Sequence, residues 1–341
     1  MAKSILVVPV SGGYFVNQVT ALYALAKTGF KPDIMMAGSG GVVASTIYIT
    51  SNYDPVAMIR NAREVQSSIY IKSWTPKAID FIPSKVLGVF IGSIYNTSDN
   101  LQSTMKTLAS PALLKETELW ILAFNASKAE TGLFCTCSKD RAIIQDNEGH
   151  LKLYKQLVYM DGDVEYFTKV ATASAAIPSV VPPILIDGDY YADAGLVHSS
   201  PLTPLSIDIQ HIDQWHIIYL TPYNTDLINV TNFDGSIIDT IAYATQTIIG
   251  GTIKTDRHQS YQMLTQRGKV IEETMSIEEY LERRDDWFSS VMEIYPLIDN
   301  KVDLSNFDGD DVVNIMLNTY QKLGIRVWYV VSKTTCFGVK D

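Results

Sequence analysis

The stretch Ile5-Leu6-Val7-Val8-Pro9-Val10 runs apolar without a polar interruption, is rich in valine, and breaks at once on Ser11-Gly12-Gly13. A strand with one wet face alternates polar and apolar residues; a strand without alternation is buried on both faces, as at the middle of a parallel sheet. Parallel neighbours need a crossover, and one follows. Val16, Val19, Tyr23 and Ala26 recur at helical spacing up to Gly29, a residue suited to the position just past a helix end. Ile34 to Ala37 is a second short apolar strand, and beyond Gly38-Ser39-Gly40-Gly41 the run Val42 to Thr50 reads as another helix. Strand, helix, strand, turn, helix is a βαβ unit, and it predicts an α/β fold of three layers, α/β/α, around a mainly parallel central sheet.

The rest of the chain fits that expectation. Asp54-Pro55 is a cap and first-turn pair for a helix to about Ile69. Leu119 to Asn125 and Leu133 to Ser138 read as paired strands around Thr131-Gly132, and Val164 to Ala176 as a helix stopped by Pro178. Asp187-Gly188 is a strong hairpin signal joining strands Pro183 to Asp187 and Asp189 to Asp193, which sets Asp193 at a strand end. Trp215 to Leu220 is a further buried strand. A long helix from about Ile237 to Gln266, a strand near Val291 to Tyr295, a helix near Asp310 to Leu323 and a last strand, Arg326 to Val331, complete the chain. No repeat or linker divides the 341 residues, so one domain over 1–341 is expected, with its core over about 4–331. Residues 71–104, which carry Trp74, Phe81, Val86, Leu87, Val89, Phe90 and Ile91 among prolines and glycines, read either as a lid or cap over a site or as buried core.

Composition excludes several classes. Apolar residues make up 47% and charged residues 19%, the profile of a folded globule. The net charge of −10, with no long basic run, leaves no electrostatic footprint for nucleic acid and repels anionic headgroups. Membrane contact is therefore expected to be transient and peripheral, through a local apolar patch. Cys135, Cys137 and Cys336 read as reduced thiols rather than as a metal or redox site, and neither a metal nor a cofactor is expected. Met1 to Ser4 leads into a short apolar run with no cleavage motif, against a signal peptide. Val86 to Tyr95 is about half the roughly 20 residues of a transmembrane helix. A soluble cytoplasmic protein is expected.

Three short motifs carry chemistry. Ala37-Gly38-Ser39-Gly40-Gly41 lies between a strand and a helix, where a nucleophile elbow presents a serine on a strained turn; Gly38, Gly40 and Gly41 give that turn its room. The following helix aims free amides and its positive dipole end at the serine's surroundings. Ser11-Gly12-Gly13 follows the first strand, so its amides emerge at the same sheet edge, where they would form an oxyanion hole. A dinucleotide-binding loop is the rival reading, but the third spaced glycine is missing. Asp193, in Tyr191-Ala192-Asp193-Ala194-Gly195, is a carboxylate flanked by residues too small to block it, or else a plain turn aspartate.

In this order the three motifs resemble the patatin-like phospholipase family. In that family a glycine-rich loop supplies the oxyanion hole, Gly-x-Ser-x-Gly gives the nucleophile, and Asp-Gly-Gly or Asp-Gly-Ala gives the dyad aspartate. Val170 to Pro178 followed by Pro182-Pro183 is similar to the family's helix and proline turn, and Asp193-Ala194-Gly195-Leu196-Val197, Pro201-Leu202 and the late Phe307-Asp308 segment are similar to stretches downstream. The chain departs at Ala37, at Ala194, and at Phe15, where the family usually keeps Arg or Lys. The resemblance implies a serine acyl hydrolase of lipase or phospholipase A type: Ser39 as nucleophile, Asp193 as proton acceptor, Gly12, Gly13 and Tyr14 as oxyanion-hole donors, and Gly195 as the dyad-motif glycine. It further implies a lipid or acyl-ester substrate, an acyl-enzyme, and brief contact with a membrane or micelle. The competing readings are an α/β-hydrolase with a Ser-Asp-His triad drawing on His198, His211, His216 or His258, and a patatin-fold lipid-binding protein without turnover.

Overall fold

The computed structural model describes residues 2–65, 98–145, 156–177, 181–224, 237–302 and 307–332. In chain order the strands are β1 (Lys3–Val8), β2 (Ile34–Ala37), β3 (Glu118–Asn125), β4 (Glu130–Cys135), β5 (Gln156–Tyr159), β6 (Ile184–Ile186), β7 (Asp189–Ala192), β8 (Trp215–Leu220), β9 (Ile271–Glu273), β10 (Ser289–Pro296) and β11 (Leu323–Val330). The helices are α1 (Phe15–Lys27), α2 (Gly40–Thr50), α3 (Pro55–Arg63), α4 (Ser98–Leu108), α5 (Pro111–Glu116), α6 (Val164–Ser174), α7 (Leu202–Gln210), α8 (Ile237–Thr265), α9 (Ile277–Arg283) and α10 (Gly309–Thr319).

One sheet runs through the molecule in the order β5-β4-β3-β2-β1-β8-β10-β11-β9, with the β6–β7 hairpin attached to β3. Its centre, β3-β2-β1-β8-β10, is parallel throughout, and antiparallel pairs occur only towards the edges and at the hairpin. The unalternating strands divide their side chains between two cores. Leu6, Val8, Met35, Ala37, Leu119, Ile121, Ile218 and Leu220 face the layer holding α1, α2, α3, α4, α6 and α10. Ile5, Val7, Ile34, Met36, Trp120, Leu122, Ile217 and Tyr219 face the layer holding α7 and α8. A period of two in side-chain direction therefore makes each apolar run serve both faces, which gives the expected three layers.

Differences from the expected elements are local. Thr131-Gly132 lies inside β4 rather than at the turn; residues 126–129 make the turn, with Ala129 at φ 55°. The cross-strand contact of Phe134 and Tyr191 fills the space over Gly132, so this glycine serves packing. β4 also stops at Cys135, so Cys137 lies past the strand, with its sulfur 3.6 Å from that of Cys135; both thiols are free and buried. α2 starts at Gly40, two residues before the first valine, because the elbow turns straight into the helix. α3 has the expected cap, the Asp54 carboxylate accepting from the Ala57 amide at 2.7 Å with Pro55 in the first turn, and ends at Arg63. Of the candidate lid, residues 71–97 lie outside the described residues, and 98–104 belong to α4. Among the described residues no helix is long and apolar enough to cross a membrane.

Candidate active site

Sheet register brings the motifs together. Val8, the end of β1, pairs with Ala37, the end of β2, so the loops Ser11–Gly13 and Gly38–Ser39 leave the same edge side by side. Ala37 also pairs with Ile121, which leaves the edge of β3 beyond Ile121 without β2. The hairpin strand β7 takes up that vacated edge, pairing Ala192 with Phe124 and Tyr191 with Asn125 in the antiparallel sense. β7 thus runs head-on towards the end of β2, which sets Asp193, one residue past β7, opposite Ser39, two residues past β2. The Ser39 hydroxyl donates to Oδ2 of Asp193 at 2.5 Å, at the short end for a hydroxyl bonded to a carboxylate.

Each partner is held. Ser39 has φ 52° and ψ −130°, a left-handed conformation that costs a side-chain-bearing residue on the order of 1–3 kcal/mol. Its amide donates to the Ser174 hydroxyl at the end of α6, at 3.0 Å. The turn is closed by the Gly41 amide on the Gly38 carbonyl and the Val42 amide on the Ser39 carbonyl, both 2.9 Å. Side chains are excluded by close backbone: a Cβ on Gly41 would lie 2.2 Å from the Val8 oxygen, on Gly40 2.6 Å from the Ser11 hydroxyl, and on Gly38 2.9 Å from the Ser199 oxygen. Ala37 escapes this constraint because it is still in β2, with its methyl in the core.

Asp193 is fixed through its own amide, which donates to the Ala176 carbonyl at 2.9 Å, and through Oδ1, which accepts from the Gly195 amide at 2.7 Å. The carboxyl is buried, and burial pushes its pKa up to about 6; the bonds donated by Ser39 and Gly195 pull the other way and lose. Ser39 and Asp193 are only 2% and 4% exposed, so both lie away from bulk water.

The glycine loop forms a single tight turn. Gly12 has φ 52°, and the Tyr14 amide donates to the Ser11 carbonyl at 3.1 Å. Tyr14 is therefore engaged in closing the turn, while no backbone bond among the described residues takes up the amides of Gly12 and Gly13. Phe15 opens α1, is buried, and packs on Phe307 with ring centroids 5.6 Å apart.

Of the four candidate histidines, His198 lies just past Asp193, its amide donating to the Ala194 carbonyl at 2.9 Å and burial lowering its pKa; the other three sit on other elements. His216 pairs with Ser4 in register, at the opposite end of β1 from the glycine loop, and its Nδ1 meets the Ser290 hydroxyl at 2.8 Å; burial and Arg284 lower its pKa to about 4. His258 meets Gln262 on the surface of α8, and His211 ends α7. Among the described residues, no three His, Cys, Asp or Glu side chains are grouped so as to hold a metal ion.

Two supports had no individual signal in the sequence. Ser174 lies in the quoted Ala-Ser-Ala-Ala-Ile-Pro run, but only the folded chain shows its hydroxyl on the Ser39 amide. Asp256, buried in α8, accepts from Ser200 and, at 2.5 Å, from Thr203, and burial raises its pKa to about 6. It anchors the turn whose Ser199 carbonyl accepts the Val10 amide at 2.8 Å and abuts Gly38.

A family model described as patatin-like phospholipase matches residues 11–206, more than half of the chain. No curated protein matches. Among solved structures, the crystal structure of VipD from Legionella pneumophila aligns at 14% sequence identity and a TM-score of 0.33, covering 94% of this chain and 66% of that one.

Proposed function

The chain belongs to the patatin-like phospholipase family, a family of lipid acyl hydrolases, and from that premise we propose that it cleaves lipid esters through a Ser39–Asp193 dyad. The observation that carries this reading is the buried 2.5 Å hydrogen bond from Ser39 to a carboxylate of raised pKa. Asp193 takes the hydroxyl proton as Oγ attacks the ester carbonyl, and the Gly12 and Gly13 amides receive the oxyanion. Fixed donors of this kind are worth about 2.7–4 kcal/mol each in transition-state stabilisation. The protonated Asp193 then gives its proton to the departing alcohol, leaving an acyl-enzyme on Ser39. Water deprotonated by the same carboxylate releases the fatty acid and restores the serine. An unperturbed carboxyl, with a pKa of about 3.9, is a poor base for a serine; the desolvation of Asp193 moves it towards working pH.

The chain is proposed to work as one domain on lipid substrates met transiently at a membrane or micelle surface, with no metal or cofactor in the dyad chemistry. The test is turnover of short and long acyl esters and of phospholipids by wild type, Ser39→Ala and Asp193→Asn. Loss of turnover in both variants with intact folding supports the dyad. Retained turnover in Ser39→Ala overturns it. A second reading, lipid binding without turnover, is favoured by a loop with no cation of its own, Phe15 being buried in the core. An inert wild type that still binds lipid would support it.

A further inference from the structure

We propose that Lys301 is a specificity-determining residue of this site, holding the phosphodiester anion of a glycerophospholipid beside the oxyanion loop. The inference rests on the Ser39–Asp193 reading and adds the class of substrate.

The segment that follows β10 is tied to the glycine loop as one body. The Val302 amide donates to the Gly13 carbonyl at 3.1 Å. Asn17, buried in the first turn of α1, donates to the carbonyls of Pro222 at 2.7 Å and Asn300 at 3.0 Å, and its own oxygen accepts from the Asn300 backbone amide at 3.3 Å. Gly13 is glycine here because a Cβ would lie 2.6 Å from the Val302 oxygen and 3.3 Å from Cγ of Lys301. The Lys301 stem therefore lies along the loop that carries the proposed oxyanion donors.

The charge it brings is available. Lys301 is exposed, and its ammonium stands 5.6 Å from the centroid of the Tyr14 ring, with no ion pair among the described residues. Asp299, two residues before Lys301, has its carboxylate turned to the Asn224 amide at 2.8 Å. Residues 11–15 contain no cation, and Lys301 brings one beside this loop. An exposed ammonium resting on an aromatic face is weakly held, whereas a phosphate gives it a charge-assisted hydrogen bond. A neutral ester offers nothing in that place. Lys301 should therefore separate phospholipids from neutral lipid esters.

The experiment compares wild type, Lys301→Met and Lys301→Arg on monomeric dihexanoyl phosphatidylcholine and on monomeric dihexanoylglycerol. The ratio of kcat/KM for the phospholipid to that for the neutral ester should fall about tenfold in Lys301→Met, mostly through KM, and recover in Lys301→Arg. Calorimetric binding of dihexanoyl phosphatidylcholine, measured in a Ser39→Ala background, should weaken by a similar factor. A ratio that does not move, or an equal loss on both esters, overturns the proposal. So does loss of inorganic phosphate inhibition in Lys301→Met with phospholipid KM unchanged, which marks a free-anion site. If wild type cleaves neither ester, the dyad reading has failed, and the binding arm still decides the role of Lys301.

Discussion

Acid should switch this site off at a pH set by burial. In the proposed dyad Asp193 is a base only when ionised, and its pKa stands at about 6 against an ordinary 3.8 because burial outweighs the bonds from Ser39 and Gly195. The difference is about two units, or about 3 kcal/mol of bias towards the neutral acid at 1.36 kcal/mol per unit. With that pKa only about a tenth of the enzyme is ionised at pH 5; with an ordinary carboxyl more than about nine tenths would be. The assay is kcat/KM for a soluble short-chain ester from pH 4 to 8, which should follow one ionisation near pH 6 and drop about tenfold from pH 7 to pH 5. Unfolding of this origin cannot mimic the drop. A carboxyl whose folded pKa is raised contributes stability that is fully present below its unfolded pKa and is lost as pH rises through about 6, so acidification strengthens its contribution to the fold. Asp256, raised to about 6 in the same way, acts in the same direction. A half-maximal point near pH 4, or a drop that coincides with loss of circular dichroism, would refute the reasoning.

Three substitutions probe the supports. Gly41→Ala sets a methyl against the Val8 and Pro9 carbonyls, at 2.2 and 2.5 Å, and should cost about 3 kcal/mol or more; an unchanged urea midpoint would contradict this. Ser174→Ala leaves the buried Ser39 amide without its acceptor, so stability should fall by about 1–3 kcal/mol and acylation should slow, with Ser174→Thr restoring both in denaturation and burst-phase measurements. Phe15→Lys, which returns a cation to the loop, places it against Phe307 in the core. Thermal melting should show a loss of several kcal/mol with no gain in turnover.

The layers of the fold were legible because burial on both faces leaves a direct mark: β1, β2 and β8 carry no alternation, and each feeds the two cores with successive residues. Short amphipathic pieces left a weaker mark. α5, α7 and α9, together with β5 and β9, have too few residues for a period to emerge and are set by the partners they pack on. Gly132 shows how one residue type misleads, since it read as a turn and proved to be a strand position kept bare for the Phe134 and Tyr191 rings. Around Ser39, the glycines at 38, 40 and 41 left a mark in the sequence because neighbouring atoms leave no room there for a Cβ. Ser174 and Asp256 were not, because a hydroxyl 135 residues away in the chain, or a carboxylate in the middle of a long helix, acquires its partner only through tertiary packing. Tyr14 illustrates the same limit, since only the folded turn shows its amide spent on Ser11.

The central claim is that Ser39 is a nucleophile activated by Asp193. It is tested most directly by covalent labelling with a fluorophosphonate, read by intact mass and by mapping the modified peptide. One adduct on Ser39 in wild type, none in Ser39→Ala, and labelling slowed by orders of magnitude in Asp193→Asn is the predicted result. Rapid labelling of Asp193→Asn, or an adduct on any residue other than Ser39, would contradict the account.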